Sequence, residues 1–227
     1  MPKRALIERR PWLLASLVAG ISFYFVAGSH VPGLYQIAWK GAGVALLAVW
    51  AVVRHRSPDA YQIGAVMVLG ALGDMLIEVD QTAGAGAFLL GHLVAIHLYL
   101  RHRRAVLTLS QRLAAAALLV LTPLLAWQLS GSLAAAAYAV TLGGMAAAAW
   151  LSSFSRYRVG LGAVLFVASD LLIFARLGVL ADNPLPGLLI WPLYYFGQFL
   201  ICTGVIGTLC PAHAAMVVRC NSRRWPS

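Results

Sequence analysis

Two aspartates stand where an ionisable side chain is least expected. Asp74 and Asp170 each fall inside a long apolar run, in a chain with only 7 acidic residues. A charge in the middle of a bilayer costs about 2.5–3.5 kcal/mol on insertion scales, so an acid there needs a partner or a purpose. Lys40, His92, Tyr194, Tyr195 and Gln198 are further polar side chains in comparably apolar surroundings. Two carboxyl groups can divide acid and base roles when their environments hold them in different protonation states. Motifs for other chemistries are absent: there is no His-Glu-x-x-His, no Gly-x-Ser-x-Gly, no P-loop and no dinucleotide fingerprint. His92 and His97 are about 140° apart around a helix, which makes a poor zinc shell. Cys202, Cys210 and Cys220 form neither a disulfide framework nor a metal motif.

The elements that must position these residues follow from composition. Of 227 residues, 61% are hydrophobic and 11% charged, and the mean hydropathy is +0.82. A soluble domain carries about 45–50% apolar and about 25% charged residues, and a small globule leaves much of its surface in water. Soluble enzymes, coiled coils and disordered chains are excluded. The chain reads as all-α, a polytopic helical bundle in a membrane. Its net charge of +10 then marks cytoplasmic loops, not a nucleic-acid footprint.

A spanning helix needs about 20 mostly apolar residues. Eight such runs are expected, at about 11–28, 34–53, 60–80, 83–100, 108–128, 133–152, 158–176 and 187–210, in a single membrane domain covering 1–227. The first follows Lys3, Arg4, Arg9 and Arg10 but is long for a signal peptide and lacks a convincing cleavage site; it is expected to stay as a span. The basic residues, Lys40 and Arg176 excepted, alternate onto one side. The positive-inside rule therefore predicts both termini in the cytoplasm. Arginine far outnumbers lysine, which points to a GC-rich, bacterial source and so to an inner (plasma) membrane. Gly73-Asp74-Met75-Leu76-Ile77 in span 3 echoes Ser169-Asp170-Leu171-Leu172-Ile173 in span 7, a weak signature of a four-plus-four parallel repeat.

Depth gathers the polar residues. At about 1.5 Å per residue, Asp74 lies about 21 Å along span 3 and Asp170 about 18 Å along span 7. From the opposite face, Lys40 is about 9 Å deep, Tyr195 about 12 Å, His92 about 13 Å and Gln198 about 16 Å. All fall between the midplane and the non-cytoplasmic surface, which predicts one polar cavity. Each residue also has a plainer reading. The aspartates would be structural if paired with Lys40 or with hydroxyl donors, and Lys40 alone reads better as a counter-ion than as a catalyst. His92 is balanced between a satisfied core residue and a site member, and His97 reads as packing. Of Tyr194 and Tyr195 only one can face the cavity squarely. Glu78, one turn beyond Asp74, reads as a solvated span end or as a lip of the cavity mouth.

With these residues in place the chain resembles the YhhN-like lysoplasmalogenase family. The matching pieces are Leu72-Gly73-Asp74, Gly91-His92, Ser169-Asp170 and Tyr194-Tyr195-x-x-Gln198, with Tyr138 and Met145 fitting a looser pattern. Length, span count and motif order agree along nearly the whole chain. The family often has Lys-Pro in span 2, where this chain has Lys40-Gly41. The resemblance implies hydrolysis of the vinyl ether bond of lysoplasmalogens, a lysophospholipid substrate drawn from the membrane lipid, with no metal or other cofactor. It makes Asp74 and Asp170 the catalytic pair. His92, Tyr194, Tyr195 and Gln198 would orient the head group or the water, and Lys40 would tune an aspartate or meet the phosphate.

A membrane carrier is the competing class, because transporters also place carboxylates at mid-membrane. Short loops and the lack of paired Gly/Pro-broken spans weigh against it; Pro123 and Pro192 are isolated.

Overall fold

The computed structural model describes residues 11–27 and 32–222, with side chains as far as 209. Among these residues the fold is all-helical, with eight α-helices. They are α1 (Pro11–Val26), α2 (Gly33–Arg54), α3 (Pro58–Leu76), α4 (Gln81–Arg101), α5 (Leu109–Ser130), α6 (Leu133–Leu151), α7 (Leu161–Leu177) and α8 (Leu185–Ser222). A π-helical turn, Arg156–Gly160, leads into α7. The N-terminal basic cluster lies outside the described residues.

Local chemistry fixes the helix ends. Ser57 accepts from the Ala60 amide at 3.1 Å, with Pro58 at the first helical position of α3. Asp80 accepts from the amides of Thr82 (2.7 Å) and Ala83 (3.1 Å) and so starts α4. That cap explains why α3 stops at Leu76 rather than near residue 80: the capping residue must itself be extended. Thr108 and Gln111 form a reciprocal capping box at α5, and Gly131 ends that helix with a φ of 68°. The last helix differs most from expectation, since its backbone continues past residue 210 to Ser222.

Six of the helices are long and apolar enough to cross a membrane by length and composition. They are α2, α4, α5, α6, α7 with its π turn, and α8 as far as Leu209. Helix α1 is shorter and apolar, while α3 carries Asp59 and Asp74. Large apolar side chains such as Val18, Phe25, Leu113, Leu121 and Val140 point outward, as a lipid-facing surface requires.

The pairs α1–α2, α2–α3, α3–α4, α5–α6 and α7–α8 pack as neighbours, α4 turns from α5 to pack on α6, and α8 closes the bundle against α2, α3 and α7. Where α7 crosses α8, Gly162 and Gly197 face each other's backbone carbonyls. A Cβ would stand 2.7 Å and 2.8 Å from those oxygens, so only glycine permits this approach. Tyr195 binds a third element. Its hydroxyl is 2.9 Å from Ser16 Oγ, which donates to the Gly43 carbonyl at 2.6 Å. Trp191, stacked on the Tyr195 ring, donates to the Gly20 carbonyl at 2.8 Å. One face of α8 is thereby tied to α1 and α2.

Candidate active site

The other face of α8 meets the acid of α3. Tyr194 and Gln198 are one turn apart and share that face. The Tyr194 hydroxyl donates to Asp74 Oδ2 at 2.8 Å, fully inside the protein. Gln198 reaches the same hydroxyl. Both groups lie over Gly70, one turn before Asp74. A Cβ there would stand 3.0 Å from Gln198 Nε2 and 3.3 Å from Tyr194 Oη.

Asp170 has a matching arrangement on a different pair of helices. Tyr138, from α6, donates its hydroxyl to Asp170 Oδ2 at 2.8 Å. Next to Asp170, Ser169 donates to the Ile190 carbonyl at 2.9 Å and fixes α7 on α8. The two acids are 3% and 6% exposed, so they sit within the packed bundle and not at an open mouth.

Aromatic rings join the two tyrosine–carboxylate pairs. Tyr194 packs edge-on against Phe166 at 5.3 Å and Phe88 at 5.8 Å. Phe166 packs against His92 at 5.3 Å, and His92 against Tyr138 at 5.4 Å. Asp74 and Asp170 are within electrostatic reach of one another. The packed rings fix both phenols in place.

His92 and Gln198 hold unspent polar capacity. His92 Nδ1 is 3.4 Å from Thr141 Oγ1, but its Nε2 has no partner among the described residues. Gln198 Oε1 is likewise buried without one. Buried polar atoms are nearly always satisfied, so orphans beside a carboxylate pair mark where a polar ligand group or water belongs.

Of the residues expected from sequence, Asp74, Asp170, His92, Tyr194 and Gln198 come together in this layer. Tyr195 does not: it is turned a helical step away, onto Ser16. Lys40 stands at the edge, ion-paired with Glu78 and within electrostatic reach of Asp74. Sequence reasoning left Tyr138 outside the polar set and missed Thr141, Phe88, Phe166 and Gly70. Tyr138 and Thr141, three apart in an Ala/Gly-rich helix, were the available signal. No three His, Cys, Asp or Glu side chains gather to hold a metal ion among the described residues.

Long apolar helices and an apolar exterior define an integral membrane protein, with two carboxyl groups buried inside its bundle. The chain belongs to the YhhN family, whose model matches residues 35–205. It is 28% identical over 222 residues to the lysoplasmalogenase of Mycobacterium bovis, covering 88% of this chain and 85% of that one. The lysoplasmalogenase of Mycobacterium tuberculosis matches to the same extent. No solved structure matches the chain significantly.

Proposed function

We propose that this protein is a membrane hydrolase that cleaves the vinyl ether bond of lysoplasmalogens, with Asp74 and Asp170 as its acid–base pair. The observation that carries the reading is the pair itself. Two buried carboxylates, each held by one tyrosine hydroxyl at 2.8 Å, lie on one aromatic layer. The family and the lysoplasmalogenases at 28% identity support it.

The chemistry suits two carboxyl groups. One, as the neutral acid, gives its proton to the vinyl carbon distal to the ether oxygen. The double bond's electrons form that C–H bond, and the ether oxygen stabilises the cation as an oxocarbenium ion. The other, as the carboxylate, takes a proton from water as the water oxygen bonds to the carbon next to the ether oxygen. The resulting hemiacetal collapses: its hydroxyl proton leaves, the carbon–ether oxygen bond breaks, and the departing oxygen is protonated. The products are a fatty aldehyde and a glycerophospho-base, and one water is consumed. Inverting glycosidases divide labour between two carboxyl groups in the same manner.

The chain's other residues orient. Tyr194 and Tyr138 fix the carboxylates, and the free atoms of His92 and Gln198 are placed to hold the water or the glycerol hydroxyl. Lys40 serves the polar head. Tyr195 ties α8 to α1 through Ser16 and takes no part in the chemistry.

The protein is a single membrane domain in a bacterial inner membrane, with eight spans and both termini cytoplasmic. The four-plus-four reading gains some support from packing. In the first half the residue before the acid, Gly73, lies under Phe88 of α4; in the second, Ser169 bonds to Ile190 of α8. In both halves the third helix of four is thus set against the fourth.

Purified protein in detergent, with no gradient across any membrane, is expected to release fatty aldehyde from lysoplasmenyl-ethanolamine. Its failure to do so, together with binding or gradient-driven uptake in vesicles, would favour a carrier.

A further inference from the structure

Lys40 stands beside the acid pair but is not spent on it. Its ammonium group is paired with Glu78, four residues beyond Asp74 in the turn that follows α3. The two side chains are 18% and 46% exposed, so the ion pair lies at the rim of the site. Exposed ion pairs are worth about 0–1 kcal/mol, and a ligand of matching charges can open one. Lys40 is also the cation whose charge reaches Asp74 among the described residues. Arg176 is exposed at the end of α7.

The distances fit the substrate class. In a lysoplasmalogen, three glycerol carbons separate the ether oxygen from the phosphodiester, and the ammonium of ethanolamine or choline lies just beyond. Four residues, about 6 Å at a helical rise, separate Asp74 from Glu78 in the turn after α3. A vinyl ether at Asp74 therefore brings its phosphate to the rim, where a cation and an anion lie side by side.

We infer that Lys40 and Glu78 form a clamp for a zwitterionic head group, with Lys40 taking the phosphate and Glu78 the ammonium. The inference rests on the lysoplasmalogenase reading and adds the source of its head-group selectivity. When empty, the two residues neutralise each other; when bound, each exchanges one opposite charge for another, so neither is left unpaired near the membrane. The clamp selects a phosphate–ammonium head over a neutral alkenylglycerol, and over an alkenyl glycerophosphate without the ammonium.

The test is kcat/KM for three substrates sharing one alkenyl chain: lysoplasmenyl-ethanolamine, 1-alkenyl-glycerol and 1-alkenyl-glycero-3-phosphate. Lys40→Met is expected to lower the ethanolamine-to-alkenylglycerol ratio by about tenfold or more, the range for a hydrogen bond to a charged group. Glu78→Gln is expected to lower the ethanolamine-to-glycerophosphate ratio by a similar factor, and Lys40→Arg to keep both ratios near wild type. If Lys40→Met folds poorly, the Glu78→Gln and Lys40→Arg ratios still decide. Equal losses on all three substrates would mean that Lys40 and Glu78 serve Asp74 alone, and would overturn the clamp. Wild-type protein that cleaves none of the three would overturn the functional reading itself, and the clamp with it.

Discussion

The hydroxyl of Tyr194 lies 2.8 Å from Asp74 Oδ2, a bond between α8 and α3 that spans 120 residues of chain. With Tyr138 and Asp170 at the same distance, it gives each carboxyl group one phenolic donor. A phenol on one oxygen fixes the carboxyl plane, and a fixed plane is what proton transfer to a particular carbon requires.

Removing that donor is expected to slow turnover without unfolding the bundle. Tyr194→Phe and Tyr138→Phe each lose one hydrogen bond to an acid, worth about 1.5–3 kcal/mol when the acid is charged. Each variant is therefore expected to lose about tenfold or more in kcat/KM while keeping a cooperative melting transition. Steady-state rates of aldehyde release, set beside thermal melts in detergent, check this.

The neighbouring tyrosine is expected to behave differently. Tyr195→Phe and Ser16→Ala break the α8–α1 tie and each cost about 1 kcal/mol of stability. Turnover per folded molecule stays close to wild type in both. A loss of rate in Ser16→Ala matching that of Tyr194→Phe would place Tyr195 in the chemistry.

Gly70→Ala separates rate from stability. Alanine favours a helix over glycine by about 0.8–1 kcal/mol, which offsets the cost of crowding its neighbours, so the variant melts close to wild type. Its new methyl presses on Gln198 Nε2 and Tyr194 Oη, at 3.0 Å and 3.3 Å. A displacement of about 1 Å can cost about 10²-fold in rate, so a shift of a few tenths predicts a several-fold loss in kcat. Paired melting curves and initial rates measure both effects.

How far the sequence reached differs from residue to residue. Asp74, Asp170 and Gln198 were legible because a polar group in an apolar run has few innocent explanations. Tyr138 and Thr141 were harder to see, since a phenol or hydroxyl can satisfy itself almost anywhere in a span. The choice between Tyr194 and Tyr195 was out of reach. Adjacent residues point about 100° apart on a helix, and the rotation of α8 is set by distant contacts, namely Trp191 on Gly20 and Gly162 against Gly197. Depth put Lys40 level with the acids, but a long side chain can carry its charge away from its own Cα, and here it goes to Glu78. The helix ends were better marked, with Ser57-Pro58, Asp80 and Thr108 standing where their caps form. Only the tertiary arrangement could show that the polar residues meet in a closed aromatic layer and not an open cavity.

The central claim is that Asp74 and Asp170 both carry the reaction, and single-turnover aldehyde release tests it most directly. Asp74→Asn and Asp170→Asn, each extractable and monodisperse in detergent, are to be mixed in molar excess over lysoplasmenyl-ethanolamine and the aldehyde followed by mass spectrometry. Both are expected to release aldehyde at least about 10²-fold more slowly than wild type, as loss of a general acid or base demands. Wild-type rates in either variant would contradict the account.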